Sequence, residues 1–450
     1  MAADQPETVT VVGGGLAGAE AACQLSRHGI PVELWEMRPE RETAAHKTDR
    51  LGELVCSNSF RNATLETAVG LLKEEMRRLG SIVMQVADVT QVPAGACLAV
   101  DRPLFAERLT AAVEALPNVK IVRREATELP DGLAIVATGP LTSPTLSQAL
   151  ARALGTAHLY FYDAIAPIVA MDSIDMQVAW KASRYDKGGE DYVNCPLDRA
   201  QYYAFVEAVI AAEKVPTRDF ERCVYFEGCM PIEEMARRGP ETLAFGPMRP
   251  VGLVDPRTGR RPYACVQLRQ DDAEGRLFNM VGFQTKMTYP EQRRVFRMIP
   301  GLEKVEFVRL GSLHRNTFVN SPALLLPSLQ VIGRKRLLVA GQLVGVEGYV
   351  ESAATGLLAG ANAARLARGE ATITPPRTTA LGSLLAYVTQ RGKKAFQPMN
   401  ANYGLFPPLP KALRGRDKKL AFAERSLGEL ERWRSGAGLD AGAAARASVA

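Results

Sequence analysis

Val9-Thr10-Val11-Val12-Gly13-Gly14-Gly15-Leu16-Ala17-Gly18-Ala19-Glu20-Ala21-Ala22 changes pattern twice within one short stretch. A β-branched run, Val9 to Val12, gives way to a glycine turn, Gly13 to Gly18. An alanine-rich stretch, Ala19 to Arg27, follows with the composition of a buried helix. Gly29 ends that helix, and Ile30 to Trp35 reads as the next strand, so the stretch predicts a βαβ unit. The turn fits G-x-G-x-x-G, with Gly13, Gly15 and Gly18 at the fixed places and Gly14, Leu16 and Ala17 between them. A dinucleotide pyrophosphate needs this pattern. One glycine makes the tight turn, one lets the backbone approach the phosphates, and one allows close helix-to-strand packing over a helix N-terminus rich in free N–H groups. Glu36 closes the second strand at the usual spacing of about 20 residues, where a carboxylate can bind ribose hydroxyls.

Outward from this unit, residues 40 to 65 are polar and lack sustained periodicity, a length at which a loop is usually functional. Helical text resumes at Leu71 to Leu79, and Leu133 to Ala137 is a short apolar strand closed by Thr138, Gly139 and Pro140. From about Ile165 to Pro300 the pattern shifts to short strand-like pieces, Val224 to Phe226, Tyr263 to Leu268 and Met280 to Phe283, separated by turns. Leu337 to Ala340 returns to a buried-strand composition, followed by an alanine-rich helix from Ser352 to Arg368. The expected fold is α/β, a doubly wound, Rossmann-like dinucleotide-binding domain with an inserted smaller α+β domain. The expected divisions are 1–165 and 305–434 for the first domain, 166–304 for the insertion, and 435–450 for a disordered tail.

The chain has 450 residues, 47% hydrophobic and 23% charged, which fits a globular protein large enough for two cores. Its formal net charge of +6 suits an anionic partner without marking a dedicated nucleic-acid binder. The seven cysteines form no C-x-x-C pair and no zinc-ligand spacing, so no metal is expected and a reducing cytoplasm is the natural setting. Neither a secretory leader nor a run of about 18 apolar residues is present, so no membrane span is expected.

The glycine motif alone does not choose FAD over NAD. The rest of the chain does: Ala137-Thr138-Gly139 resembles the internal ATG turn of two-domain flavoproteins, and Val339-Ala340-Gly341 resembles the late segment that closes over the ribityl chain and flavin ring. Gly139 and Gly341 therefore join Gly13, Gly14, Gly15, Leu16, Ala17, Gly18 and Glu36 as expected cofactor contacts. No second G-x-G-x-x-G opens a strand-to-helix unit, so a nicotinamide reductant, NADPH or NADH, is expected to dock transiently.

The segments VVGGGLAGAEAA, WEMRP, TDRLGELVCSNS, FEGCMPIEEMARRG, GPMRPVGL, VGFQTKM, LHRNTFVNSP, AGQLVGVEGYVESAATG and FQPMNANYGL resemble, in order and over nearly the whole chain, the folate- and FAD-dependent tRNA (uracil-5-)-methyltransferases. The resemblance implies formation of 5-methyluridine at position 54 of the tRNA T-loop. The one-carbon unit would come from 5,10-methylenetetrahydrofolate, with reduced FAD as carrier and reductant and NAD(P)H as electron source. The related, longer flavoprotein that modifies wobble uridines is the alternative. An FAD oxidoreductase acting on a small metabolite and a non-catalytic tRNA-binding flavoprotein are the rivals from other classes.

Methylation at C5 of a uracil requires that carbon to become nucleophilic, which addition of a thiolate at C6 achieves. Cys56 and Cys229 stand inside the resembling motifs and are the expected catalytic residues, with their roles unassigned. Cys56 precedes Ser57-Asn58-Ser59, and Cys229 precedes Pro231 and the helical IEEMARRG, so each is expected near free N–H groups. Cys23, Cys97, Cys195, Cys223 and Cys265 read as structural. Glu347, Glu351, His46, His314 and Asp49 stay open as the base that removes the C5 proton. For tRNA, the basic clusters at 257–261, 293–294, 334–336, 393–394 and 414–419 are candidates. The last two flank Phe396, Tyr403 and Phe406, where base stacking is expected.

Overall fold

The computed structural model describes residues 7–43, 45–155, 159–186, 189–215, 230–392, 396–410 and 412–439. Its first sheet has six strands in the order Gln330–Val331, Arg334–Val339, Ala134–Val136, Val9–Val12, Val32–Glu36 and Val119–Arg123. All neighbours are parallel except the antiparallel edge at Gln330–Val331. A parallel sheet must bury both faces under helices, and Val9, Val11 and Leu34 are accordingly fully buried. The Val9–Val12 strand falls where the sequence places it. The first helix, Leu16–Arg27, starts three residues before the expected Ala19, because Gly15 at its N-cap is already extended, with φ −76° and ψ −170°.

The helix Tyr349–Ala367 lies on that first helix at a separation only small residues permit. A Cβ on Gly356 would stand 2.1 Å from the Ala17 carbonyl oxygen, and one on Gly360 would stand 2.6 Å from that of Ala21. This contact joins the two ends of the chain into one core running from Val9 to Ala423.

The second sheet is antiparallel throughout, in the order Trp180–Lys181, Tyr192–Leu197, Ala264–Gln270, Leu277–Met280, Ile168–Ala170 and Phe307–Arg309. One face packs on the helices Arg199–Ala211 and Tyr289–Phe296 around Phe205, Phe283 and Phe296. The final strand lies beyond the expected insertion boundary at 304. The strand expected at Met280 to Phe283 ends at Met280 instead, because Gly282 turns the chain with φ +78° and leaves no room for a side chain against Pro247. Between the sheets, Leu159–Ala164 and Leu313–Phe318 pair antiparallel, so the outgoing and returning passes of the chain support each other.

At the C-terminus, the helix Gly415–Gly436 continues into the expected tail, and Leu439 packs with Leu79, Leu357 and Leu430. Residues 440–450, Cys223, and the strand expected at 224–226 lie outside the described residues. No described helix is long and apolar enough to cross a membrane.

Candidate functional site

The three glycines of the motif do three different things. Gly13 has φ +104°, and its missing side chain lets the Ala137 carbonyl oxygen lie 2.7 Å from where a Cβ would stand. Gly18 allows the first helix to start against the Gly13 carbonyl, which a Cβ would approach to 1.8 Å. Gly15 has nothing within 4 Å of its Cβ position and faces open space. Packing explains two of the glycines, and the third leaves room for something outside the protein.

That space is a cavity of about 1240 Å³ including its open mouth. Trp35, Glu36, Arg124 and Glu125 line it near the second strand, Gly13 to Ala17 and Thr138 to Leu141 line its middle, and Cys56, Ile165, Asn316, Gly341 and Tyr349 line it beyond. Its lining runs from Glu36 past the glycine turn and Gly139 to Gly341 and Cys56, an extended course that suits a dinucleotide. All nine expected cofactor contacts except Gly18 line it, and Gly18 serves the helix packing beneath it.

Glu36 is 5% exposed. Its Oε1 accepts from the Arg38 backbone N–H at 3.0 Å and from Arg38 Nε at 2.9 Å, and its Oε2 accepts from the Gly14 N–H at 2.9 Å. Burial opposes its charge, but the Arg38 guanidinium and the two backbone donors outweigh burial and hold the carboxyl below its usual range. Of the four or so acceptor sites on a carboxylate, one on Oε2 is left for a sugar hydroxyl. Nearby, the Arg124 guanidinium lies 4.3 Å from the Trp35 ring centroid.

Cys56 lines the other part of the cavity and is partly exposed. It precedes the strand Ser59–Asn62, not a helix, which corrects the expectation of helix-start N–H groups beside it. Instead, the Cys56 and Ser57 N–H groups donate to the Tyr349 hydroxyl, at 2.9 and 3.1 Å. Burial first, and the Cys56 thiol second, push the Tyr349 pKa well above its ordinary value, so the hydroxyl keeps its proton. The carbonyls of the same loop are held by arginines. Arg309 donates to Val55 O at 3.2 Å and Cys56 O at 3.3 Å, and Arg102 donates to Leu54 O at 3.1 Å.

Arg102 also forms a two-bond pair with Asp271, at 2.8 and 3.1 Å, and Arg269 of the second sheet donates to Asn58 Oδ1 and Ser57 Oγ. Arg269 pairs with Asn279, Asn279 with Ile168, and Ile168 with Arg309, so these residues form one row across the sheet. The insertion thus presents Arg269 and Arg309, the two ends of that row, to the loop carrying Cys56. Burial, then the nearby Arg102 charge, lowers the Arg309 pKa to about 10, still protonated at neutral pH.

Cys229 lies outside the described residues, and the helix Ile232–Arg237 begins after Pro231 as read. Cys23 and Cys265 are buried, with thiols pushed up to about 12 by burial, and Cys195 is raised likewise. Cys97 is partly exposed and does not line the cavity.

Among the open candidates for the base, Glu351 is fully buried, pairs with Arg61, and accepts from the Ala401 N–H at 2.9 Å. Asp49 is exposed and away from the cavity lining. His46 lines the cavity with Nδ1 2.7 Å from Thr43 Oγ1, and the His314 side chain lies outside the described residues. Phe406 is 7% exposed, and Tyr403 stacks on Phe422 at 5.3 Å, so these rings bind the last helix to the core instead of offering a base platform. Of the basic clusters, Arg257, Arg294, Arg336 and Arg416 pair with Asp255, Glu291, Glu7 and Glu66. Residues 393 and 394 lie outside the described residues.

Tyr349, Asn316, Arg102, Arg269 and Arg309 have no role in the sequence reading. Tyr349 and Asn316 sit within GVEGYVES and LHRNTFVNSP, and only their place beside the cavity singles them out.

Residues 8–371 match the family model described as glucose inhibited division protein A. The chain is 60% identical over 427 residues to a protein of Geobacter sulfurreducens named methylenetetrahydrofolate–tRNA-(uracil-5-)-methyltransferase TrmFO, covering 94% of this chain and 98% of that one. A protein of the same name from Moorella thermoacetica is 57% identical over 431 residues, with 95% and 98% covered. Among solved structures, Aquifex aeolicus GidA in its form II crystal superposes with a TM-score of 0.71 at 17% identity, covering 97% of this chain and 74% of that chain. That likeness shows the shared fold, and about a quarter of the Aquifex chain has no counterpart here. With relatives this similar over nearly their whole length, the chain belongs to the methylenetetrahydrofolate–tRNA-(uracil-5-)-methyltransferase TrmFO family.

Proposed function

We infer that this protein methylates C5 of a tRNA uracil, forming 5-methyluridine at position 54 of the T-loop, with 5,10-methylenetetrahydrofolate as one-carbon donor, FAD as cofactor and NAD(P)H as electron source. The observation that carries this reading is that Cys56 lines the same cavity as Gly15 and Glu36. A nucleophile for the pyrimidine and a berth for a redox cofactor share one space. The wobble-uridine and small-metabolite alternatives are not favoured beside relatives at 56–60% identity bearing the methyltransferase name.

FAD fits the residues present. Gly15 leaves its Cβ position open, Glu36 keeps an acceptor for a ribose hydroxyl, and Gly139 and Gly341 border the cavity with φ +66° and +77°. When bound, FAD supplies the reducing equivalents that take the transferred carbon to the methyl level. The protein's own share lies in its side chains. We assign Cys56 and Cys229 as the catalytic thiols, of which one forms a bond to uracil C6 as a thiolate so that C5 becomes nucleophilic, and later leaves as the C5 proton is removed. Tyr349, Arg102 and Arg309 hold the Cys56 loop in place for this. The chain is proposed to divide at residue 165 and, since the insertion sheet includes Phe307–Arg309, just after Arg309 rather than at 304, and to act in the cytoplasm.

The test is transfer of label from methylene-labelled 5,10-methylenetetrahydrofolate to unmodified tRNA, with NADPH and the purified yellow protein. Label in 5-methyluridine at position 54, abolished in Cys56→Ala or Cys229→Ala while flavin is retained, is the expected result. No label when the flavin is demonstrably reduced would overturn the reading.

A further inference from the structure

The strand Leu313–Phe318 is clamped to both turns that border the cavity. The Thr317 N–H donates to Pro140 O at 3.0 Å, beside Gly139, and the Val319 N–H donates to Leu343 O at 2.8 Å, beside Gly341. Immediately before the first clamp, Asn316 lines the cavity with Cys56, Ile165 and Tyr349. It is 2% exposed, and its Nδ2 has no hydrogen-bond partner. A buried donor left unpaired costs about 1–3 kcal/mol, and native proteins rarely leave one so. An amide NH₂ only donates, so whatever completes it must present an acceptor.

We propose that Asn316 donates through Nδ2 to a carbonyl oxygen of the flavin's pyrimidine ring and thereby raises the flavin's reduction potential. This rests on the FAD reading above. A resident cofactor suits the geometry better than either substrate does. Asn316 is almost wholly buried, and its strand is fixed to the two turns of the dinucleotide fold, whereas folate and the uracil enter from solvent and leave in every cycle. Reduction places electron density on the pyrimidine carbonyls, so a fixed donor there binds the reduced ring more strongly than the oxidised one. The backbone clamps keep that donor in place before the cofactor arrives.

The experiment uses the purified flavin-loaded protein and two variants, with flavin content, visible absorption and midpoint potential measured by equilibration with a reference dye. Asn316→Leu, close in volume and apolar, is expected to shift the oxidised-to-reduced equilibrium about tenfold toward the oxidised form, about 30 mV for a two-electron couple, with a displaced flavin absorption band. Asn316→Asp replaces the donor with a carboxylate and is expected to lower the potential further. It decides the matter if the Leu variant holds no flavin. A parent-like spectrum and potential in Asn316→Leu, or in Asn316→Asp where the Leu variant is empty, overturns the proposal. So does a raised KM for tRNA at unchanged potential, which would give the amide to the uracil. Parent protein that purifies without any flavin would instead remove the FAD reading itself, before either variant is made.

Discussion

The Tyr349 hydroxyl accepts the N–H of Cys56 at 2.9 Å across 293 residues of sequence. It also takes the Ser57 N–H, so one phenol oxygen satisfies two successive donors of the loop. Tyr349→Phe leaves both without that acceptor, at a cost of about 1–3 kcal/mol in loop stability. Amide hydrogen exchange at residues 56 and 57 is expected to quicken about tenfold or more, with methyl transfer falling by a comparable factor. Exchange unchanged from the parent would remove Tyr349 from loop positioning.

Two neighbouring glycines separate ligand binding from folding. Gly15→Ala places a methyl in open space at an ordinary φ, so melting of the flavin-free protein is expected to change by less than about 0.5 kcal/mol, while FAD affinity falls at least about tenfold. Gly18→Ala drives a methyl into the Gly13 carbonyl and is expected to destabilise the flavin-free protein by roughly 1–3 kcal/mol or more. Equal effects of the two substitutions on flavin-free stability would contradict the separate roles.

The Arg102–Asp271 pair is buried where the insertion meets the Cys56 loop. Removing one partner of such a pair strands a charge, which costs about 3–5 kcal/mol. Asp271→Ala is expected to lose about that much in denaturant melts, and Arg102→Met with Asp271→Leu together is expected to recover much of it. A double variant as unstable as the single one would show that the arginine's bond to Leu54 O matters more than the pair.

Glu20, fully buried on the first helix, is expected to make stability fall as pH rises. Burial raises its pKa to about 7 despite its bonds to Ser81 and to the Val83 N–H, and its Oε2 has no partner. The unfolded chain releases this proton near the ordinary carboxyl value of 4.5, the native protein only near 7, so the native state binds more protons between those values. The penalty therefore grows from pH 4.5 to about 7 and is complete above it, amounting to about 3 kcal/mol. Glu20→Gln removes it. Melts at pH 5.5 and 8 are expected to show a larger gain for the variant at pH 8, and an equal gain at both would refute the linkage.

The dinucleotide half of the architecture is legible because its signals are local. The strand at Val9, the glycine turn, Glu36, and the helix after Gly341 each announce themselves within a few residues. Boundaries shift where a distant contact decides. Met280 to Phe283 has strand-like composition, but Gly282 has to turn against Pro247, and nothing local says so. Tyr403 and Phe406 have the composition of a stacking surface, yet Phe422, in the last helix, claims them. The site is legible on its cofactor side and opaque around Cys56. That loop is held by Tyr349, Arg102, Arg269 and Arg309, which come from four separate regions of the chain.

The packing of Tyr349–Ala367 on Leu16–Arg27 has a consequence for synthesis. The first helix leaves the ribosome more than 300 residues ahead of its partner, an interval of about 15–65 s at ordinary elongation rates. During that time its small-residue face, Ala17 and Ala21 included, has no mate, and the cavity lacks the wall that Gly341, Gln342, Tyr349 and Ser352 supply. Any product cut short before the late helix lacks Tyr349 and Ser352 of the cavity and the partner of the first helix, however well the insertion folds by itself. The unmated first helix is the point at which a chaperone would be most needed.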